Sequence, residues 1–124
     1  MNRIILVLFF MSPLLVACSP HPGSGQWITT GEDKPGYMKE FVRLNVMYEG
    51  RTDIFGPQTM GNTDAAAIRR CFWHGVDANA IELSCVQADN TEIEEHYQLR
   101  VDADNDTAEM MQGGRTVGRY RRDK

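Results

Sequence analysis

Two cysteines within a run of alternating residues constrain the fold of this chain more than any other feature. The segment RRCFWHGVDANAIELSC, residues 69–85, has the pattern of two strands joined by a short polar turn. If the turn is centred on Ala78, Cys71 lies opposite Cys85 and Trp73 lies opposite Leu83, so all four side chains share one apolar face. The pattern therefore predicts a β-hairpin stapled by a Cys71–Cys85 disulfide.

The histidine in the same segment raises the alternative of a Cys/His metal site. A structural zinc site commonly takes four ligands, and the segment offers Cys71, His74 and Cys85. On a strand, positions 71 and 74 lie on opposite faces because successive side chains alternate. The chain also contains no Gly-x-Ser-x-Gly, no His-Glu-x-x-His and no phosphate-binding glycine loop. We therefore expect no metal, no cofactor and no catalytic role.

The N-terminus has the pattern of a secretory signal. After MNR come thirteen mostly apolar residues, IILVLFFMSPLLV, too few for a membrane-spanning helix of about 20. The next residues complete the sequence Leu15-Val16-Ala17-Cys18, which resembles the lipobox of bacterial lipoproteins. The resemblance implies cleavage before Cys18, a diacylglycerol thioether on its sulfur and N-acylation, which together anchor a protein stably.

The residue after the lipobox cysteine bears on localisation. Ser19 stands where many lipoproteins of the inner membrane have Asp, and by the same resemblance this favours the outer membrane of a Gram-negative cell. We expect residues 1–17 to be a signal peptide, 18–25 a lipidated tether without fixed structure, and 26–124 a single β-rich domain. The domain is expected to face the periplasm, where a disulfide can persist; exposure at the cell surface stays open.

Alternation of apolar and polar residues predicts six or seven short strands in the domain. Residues 51–64 are the least regular part, and the stretch near 63–70 is compatible with either a short helix or a loop. Turn residues separate the alternating segments, and no repeat or long amphipathic helix interrupts them. The expected fold is therefore mainly β, a small antiparallel barrel or sandwich. The strand segments are 25–30, 38–50, 68–74, 80–87, 91–101, 107–112 and 115–122.

Gly25-Gln26-Trp27, at the start of the first predicted strand, is similar to the Gly-x-Trp signature of lipocalins. In that family the tryptophan closes the floor of the barrel against an arginine from near the C-terminus. The resemblance implies that Arg119 or Arg121 takes this part. It also implies an alternative function, that of a carrier for a small apolar ligand.

Charge is distributed unevenly along the domain. Residues 77–109 hold ten acidic residues and one arginine, whereas residues 115–124 are strongly basic. This asymmetry, together with the expected location outside the cytoplasm, argues against a nucleic-acid partner. The basic residues either form a surface for an anionic partner or pair with the acidic stretch inside the fold. The four candidates for that surface are Arg115, Arg119, Arg121 and Arg122.

Two acidic clusters resemble functional sites, but neighbouring residues that such sites require are missing or the cluster faces solvent. Asp102, Asp104 and Asp106 have the spacing of the first ligands in an EF-hand loop, but the later glycine and glutamate are missing, so we expect a solvated turn. Glu94 and His96 alternate onto the outer face of their strand, which indicates a solvated edge.

The sequence therefore favours a binding or accessory role over catalysis. A protein-binding lipoprotein, such as an inhibitor, an immunity protein or an assembly factor, is the first hypothesis. A lipocalin-like carrier is the second.

Overall fold

The computed structural model describes residues 20–57 and 66–124, which form a closed antiparallel barrel of eight strands. Each strand pairs with its neighbours in sequence, and β1 pairs with β8 to close the barrel. The predicted mainly β antiparallel fold is confirmed as a barrel, with eight strands instead of six or seven. The strands are β1 (Gly25–Thr29), β2 (Arg43–Val46), β3 (Arg51–Phe55), β4 (Arg69–Asp77), β5 (Ala80–Gln87), β6 (Asn90–Val101), β7 (Thr107–Gln112) and β8 (Arg115–Arg122).

The additional strand is β3, in the region that alternation left undefined. A tight turn separates it from β2: the Gly50 amide donates to the Met47 carbonyl at 3.2 Å, and Gly50 adopts a φ of 97°. Glycine reaches this backbone conformation without steric cost. Tyr48 lies in the turn and is 77% exposed, although it falls within the predicted strand segment 38–50.

The helix considered near 63–70 does not form in the described part of that range. Residues 66–68 are non-helical and β4 begins at Arg69; residues 58–65 lie outside the described ranges. Ile68 continues the sheet pairing instead. Its amide donates to the Ile54 carbonyl and its own carbonyl accepts from the Ala88 amide. Helix propensity over a few alanines is a weak preference that such tertiary pairing overrides.

Large apolar side chains fill the interior of the barrel. Each strand alternates, so one face of every strand contributes to a single core. The side chains that are at most 1% exposed include Trp27, Leu44, Ile54, Ile81, Leu83, Cys85, Leu99, Met110 and Tyr120.

The two ends of the barrel are closed by different parts of the chain. We call the end that carries residues 20–24, the β2–β3 and β4–β5 turns, loop 102–106 and residues 123–124 the terminal end. The opposite end, the distal end, carries segment 30–42 and the β5–β6 and β7–β8 turns. Phe41 plugs the distal end, where it is 1% exposed and its carbonyl accepts from the Tyr120 hydroxyl at 2.7 Å.

Residues 21–24 close the terminal end, so the expected tether without fixed structure is wrong for this part of residues 18–25. The Gly23 carbonyl accepts from the Trp27 indole at 3.0 Å, and Ser24 is 8% exposed. His21, which a tether would leave in solvent, lies edge-on to Trp73 and its Nε2 is 2.7 Å from the Asp77 carbonyl.

None of the described residues forms a helix long and apolar enough to cross a membrane.

Candidate functional site

The stapled hairpin of β4 and β5 decides which side chains reach the outer wall of the barrel. Its register is the predicted one, with Cys71 opposite Cys85 and Trp73 opposite Leu83. The two sulfurs are bonded at 2.03 Å, which confirms the disulfide. Because these four side chains point inward, the alternate residue Phe72 must point outward.

Two rows of side chains cross the outer wall beside Phe72. In the first row, Arg51 of β3 pairs with Phe72, and Phe72 pairs with Ser84 of β5. In the second row, Asp53 pairs with Arg70, which pairs with Val86, which pairs with Glu94 of β6. Short side chains such as Ser84 lie next to long ones, so the wall has a depression rather than a flat surface.

This depression, which we call the Phe72 groove, has a volume of about 770 Å³. The phenyl ring of Phe72 is 72% exposed within it. The alternation of the hairpin already placed Phe72 outside the core, and a phenylalanine on an outer face was the available signal for this site. The lining residues are Arg51, Asp53, Phe55, Ala66, Ala67, Arg70, Cys71, Phe72, Ser84, Val86 and Glu94.

The rim of the Phe72 groove carries charges of both signs. Arg51 and Arg70 lie on the β3–β4 side and are exposed, whereas Glu94 lies on the β6 side. The Glu94 carboxylate is 3.6 Å from His96, whose Nδ1 is 3.3 Å from the Ser84 hydroxyl. An apolar centre within a rim of mixed charge is the usual anatomy of a protein–protein contact.

A second cluster of polar groups lies inside the barrel near its distal end. Arg69 and Glu95 form an ion pair at 2.5 Å, with 14% and 22% of their side chains exposed. The Arg69 guanidinium lies 5.3 Å above the ring of Phe41, and that ring contacts Tyr97 edge-on. Burial by itself lowers the pKa of Arg69, but the hydrogen bond and charge of Glu95 raise it above the usual range. The Arg69 guanidinium therefore stays charged, and its pair with Glu95 crosslinks β4 to β6.

Tyr97 makes the stability of the barrel sensitive to alkaline pH. Burial, and then the neighbouring Glu95 carboxylate, raise the pKa of Tyr97 from 10.0 to about 12. The folded protein therefore keeps a proton that the unfolded chain loses, and stability declines as pH rises from 10 through 12. Between these values we expect Tyr97 alone to lower the free energy of unfolding by about 1–3 kcal/mol, measured by urea denaturation as the difference between the parent protein and a variant without its hydroxyl.

The control for this prediction is Tyr97→Phe. It removes the ionising hydroxyl and should flatten part of the pH dependence, while Tyr120, whose pKa is also raised by burial, retains the rest. An identical loss of stability in Tyr97→Phe and the parent protein would contradict the assignment to Tyr97.

The four C-terminal arginines are divided among different environments. Arg119 pairs with Asp102 at 2.6 Å and with Glu109 at 3.6 Å, and Glu32 lies 3.7 Å away. The hydrogen bond that Arg119 donates to the Asp102 carboxylate raises the pKa of Arg119. These contacts correspond to the alternative in which basic residues pair with the acidic stretch inside the fold. Arg115 and Arg121 are exposed at opposite ends of β8.

Arg122, and neither Arg119 nor Arg121, lies against Trp27 at the floor of the barrel. Its guanidinium carbon is 4.3 Å from the centre of the indole. The same group donates to the backbone carbonyls of Pro22, Ser24 and Asn105. Arg122 therefore joins residues 21–24, which we call the N-terminal strap, to the first strand and to loop 102–106.

The aspartates of loop 102–106 are used within their own turn. Asp104 Oδ1 accepts from the backbone amides of Asp106 and Thr107, and these hydrogen bonds lower the pKa of Asp104. Asp102 accepts from the Thr107 hydroxyl at 2.6 Å. Within residues 20–57 and 66–124, no group of three or more His, Cys, Asp or Glu side chains is arranged to hold a metal ion.

Comparison with models of protein families, with curated proteins and with solved structures finds no match to this chain.

Proposed function

We propose that this protein is a lipid-anchored protein of the bacterial envelope that binds another protein through the Phe72 groove. The observation that carries the proposal is the phenyl ring of Phe72, 72% exposed in a groove of about 770 Å³ with charges of both signs around it. Aromatic side chains held in such positions commonly supply most of the energy of a protein contact.

The architecture of the barrel supports side-chain docking over strand addition. Each of the eight strands is hydrogen-bonded to a neighbour on both sides, so a partner cannot extend the sheet at an open edge. The groove crosses β3 to β6 on their outer side, where a partner can insert an apolar side chain beside Phe72. Arg51, Arg70 and Glu94 would then pair with complementary charges on the partner.

Membrane attachment is the second part of the proposal. Cleavage before Cys18 and acylation of that cysteine would place the domain at the periplasmic face of the outer membrane. This part is supported by Leu15-Val16-Ala17-Cys18 and by the disulfide, which suits an oxidising compartment. Cys18→Ser should remain unacylated by mass spectrometry and be released from washed envelope membranes; continued membrane retention would contradict the anchor.

The groove is tested by a pair of substitutions at exposed aromatic residues. Phe72→Asp places a charge in the groove, whereas Tyr48→Asp makes the same change at a similarly exposed residue outside it. After crosslinking in cells and capture from detergent-solubilised envelopes, the parent protein and Tyr48→Asp should retain a shared partner that Phe72→Asp loses at least about tenfold, corresponding to about 1.4 kcal/mol.

Three other outcomes of this experiment would count against the groove. The first is retention of the partner by Phe72→Asp, and the second is equal loss of the partner from both variants. The third is a crosslinked species that is a second copy of this chain, which sedimentation of the purified protein would establish. Equal thermal unfolding midpoints for the two variants show that any loss arises from the surface and not from misfolding.

The carrier hypothesis is supported by one observation, the stack of a C-terminal arginine on Trp27. The resemblance to lipocalins implied such a contact for Arg119 or Arg121, and Arg122 makes it instead. The packing of the interior favours the protein-binding function instead. Leu44, Leu83 and Met110 are fully buried beside Trp27 in one core cluster, and an apolar ligand would have to displace such side chains at a cost of several kcal/mol.

A further inference from the structure

We infer that the terminal end of the barrel is the surface that contacts the lipid headgroups, so that the domain stands on the membrane by this end instead of moving freely on a tether. The inference rests on the proposed acylation of Cys18. It concerns how the domain is oriented, which acylation alone does not determine.

The inference depends on the small number of residues between Cys18 and the part of the chain that is fixed at the terminal end. Residues 21–24 are fixed across the terminal end: the Ser24 amide donates to the His21 carbonyl at 3.0 Å, and the Ser24 carbonyl accepts from Arg122 at 2.9 Å. Pro20 is directly attached to this strap. Two residues of extended chain span at most about 7 Å. Acyl chains on Cys18 therefore bring the terminal end to the membrane surface.

The charges of the terminal end are compatible with this contact. Four of its carboxylates have cationic partners: Asp102 contacts Arg119 at 2.6 Å, Asp106 contacts Lys124 at 3.2 Å, Asp77 contacts Arg100 at 3.7 Å, and Asp123 contacts Arg43 at 3.7 Å. Paired carboxylates repel anionic headgroups less than isolated ones, because each pair is close to neutral.

The exposed apolar side chains of the terminal end fit the same environment. Tyr48, in the β2–β3 turn, is 77% exposed, and Val76, beside the β4–β5 turn, is 42% exposed. Tyrosine is favoured at the boundary of water and lipid because its ring is apolar and its hydroxyl is polar. Both residues lie at the end of the barrel that the short anchor draws to the bilayer.

The orientation also determines how the Phe72 groove is presented. Phe72 lies five positions along β4 from Asp77 at the terminal end, which places it about 10–15 Å above that end for a tilted strand. The groove therefore faces along the membrane plane. The distal end, with segment 30–42, points away from the membrane.

Fluorescence quenching by lipids that carry a nitroxide on the headgroup tests the orientation. An environment-sensitive dye is attached to Glu49→Cys in the β2–β3 turn or to Arg115→Cys at the distal start of β8, in the acylated protein reconstituted in vesicles. The native Cys71 and Cys85 are bonded to each other and do not react. The two sites are separated by about 20 Å along the barrel, so quenching should be at least about twofold stronger at position 49.

A spacer variant provides the matched control. Twelve Gly/Ser residues inserted between Ser19 and Pro20 would span about 19 Å on average, so quenching at positions 49 and 115 should become similar. Mass spectrometry of Cys18 and flotation with vesicles report the anchor separately. Equal quenching at both positions in the acylated parent protein would overturn the orientation and leave the anchor intact. An unacylated Cys18 would overturn both.

Discussion

Removal of the Cys71–Cys85 disulfide is expected to lower the free energy of unfolding by about 3 kcal/mol, the entropy of closing a loop of roughly 15 residues in the unfolded chain. The bridge joins residues separated by 14 positions. For a domain of this size, the same change lowers the midpoint of thermal unfolding by on the order of 15 °C. The double variant Cys71→Ala/Cys85→Ala avoids leaving a buried free thiol, and urea denaturation measures the loss.

The slope of the unfolding free energy against urea concentration shows whether this loss arises in the unfolded chain. If the bridge acts by restricting the unfolded chain, the double variant should expose more surface on unfolding and show a steeper dependence on urea. The parent protein with its disulfide reduced should behave in the same way. A double variant within about 1 kcal/mol of the parent protein would show that the packing of Trp73 and Leu83 holds the hairpin without the bond.

The hairpin could be predicted from sequence because several local requirements agree on one register. Placing Cys71 opposite Cys85 also places Trp73 opposite Leu83, and shifting one strand by one residue would move its members of these pairs to the outer wall. The same reasoning placed Glu94 and His96 on the outer face of β6, where both are exposed. Agreement among neighbouring residues is the condition under which alternation is informative.

The plugs at the two ends of the barrel could not be predicted in this way, because they depend on contacts between residues distant in the chain. Phe41 lies within the predicted strand segment 38–50, yet it precedes β2 and its ring fills the distal end below Arg69. Pro22 and Ser24 lie in a segment with the composition of a linker, but their carbonyls accept hydrogen bonds from Arg122, about 100 positions away. The composition of a segment indicates how flexible it is in isolation, but it does not indicate which tertiary contacts the segment makes after folding.

The arginines show the same limit at the candidate site. A count of charges identified the C-terminal strand as basic, but the pairing of β8 with β1 and β7 determines what each side chain contacts. Arg119 meets Asp102 and Arg122 meets Trp27. Alternation in the sequence could place Phe72 on the outer wall. The shape of the groove around it depends on neighbouring side chains of β3, β5 and β6, and the sequence did not reveal that depression.

Arg122→Ala is expected to destabilise the barrel by about 2–4 kcal/mol, because it removes charge-assisted hydrogen bonds and the stack on the indole. The guanidinium donates to the carbonyls of Pro22, Ser24 and Asn105 while it lies over Trp27. Its loss leaves partly buried carbonyls without a donor. Arg121→Ala is the matched control, since Arg121 is the exposed neighbour on the same strand, and it should change stability by less than about 0.5 kcal/mol.

Arg122→Lys separates the contribution of charge from that of geometry. Lysine keeps the positive charge but lacks the planar fork that reaches several carbonyls while stacking on a ring. We therefore expect Arg122→Lys to recover less than half of the stability lost in Arg122→Ala. Hydrogen exchange should be faster at the Ser24 and Trp27 amides in both variants, because the strap loses hydrogen bonds that Arg122 donates to Pro22 and Ser24. Full recovery with lysine would instead assign the effect to net charge at the terminal end.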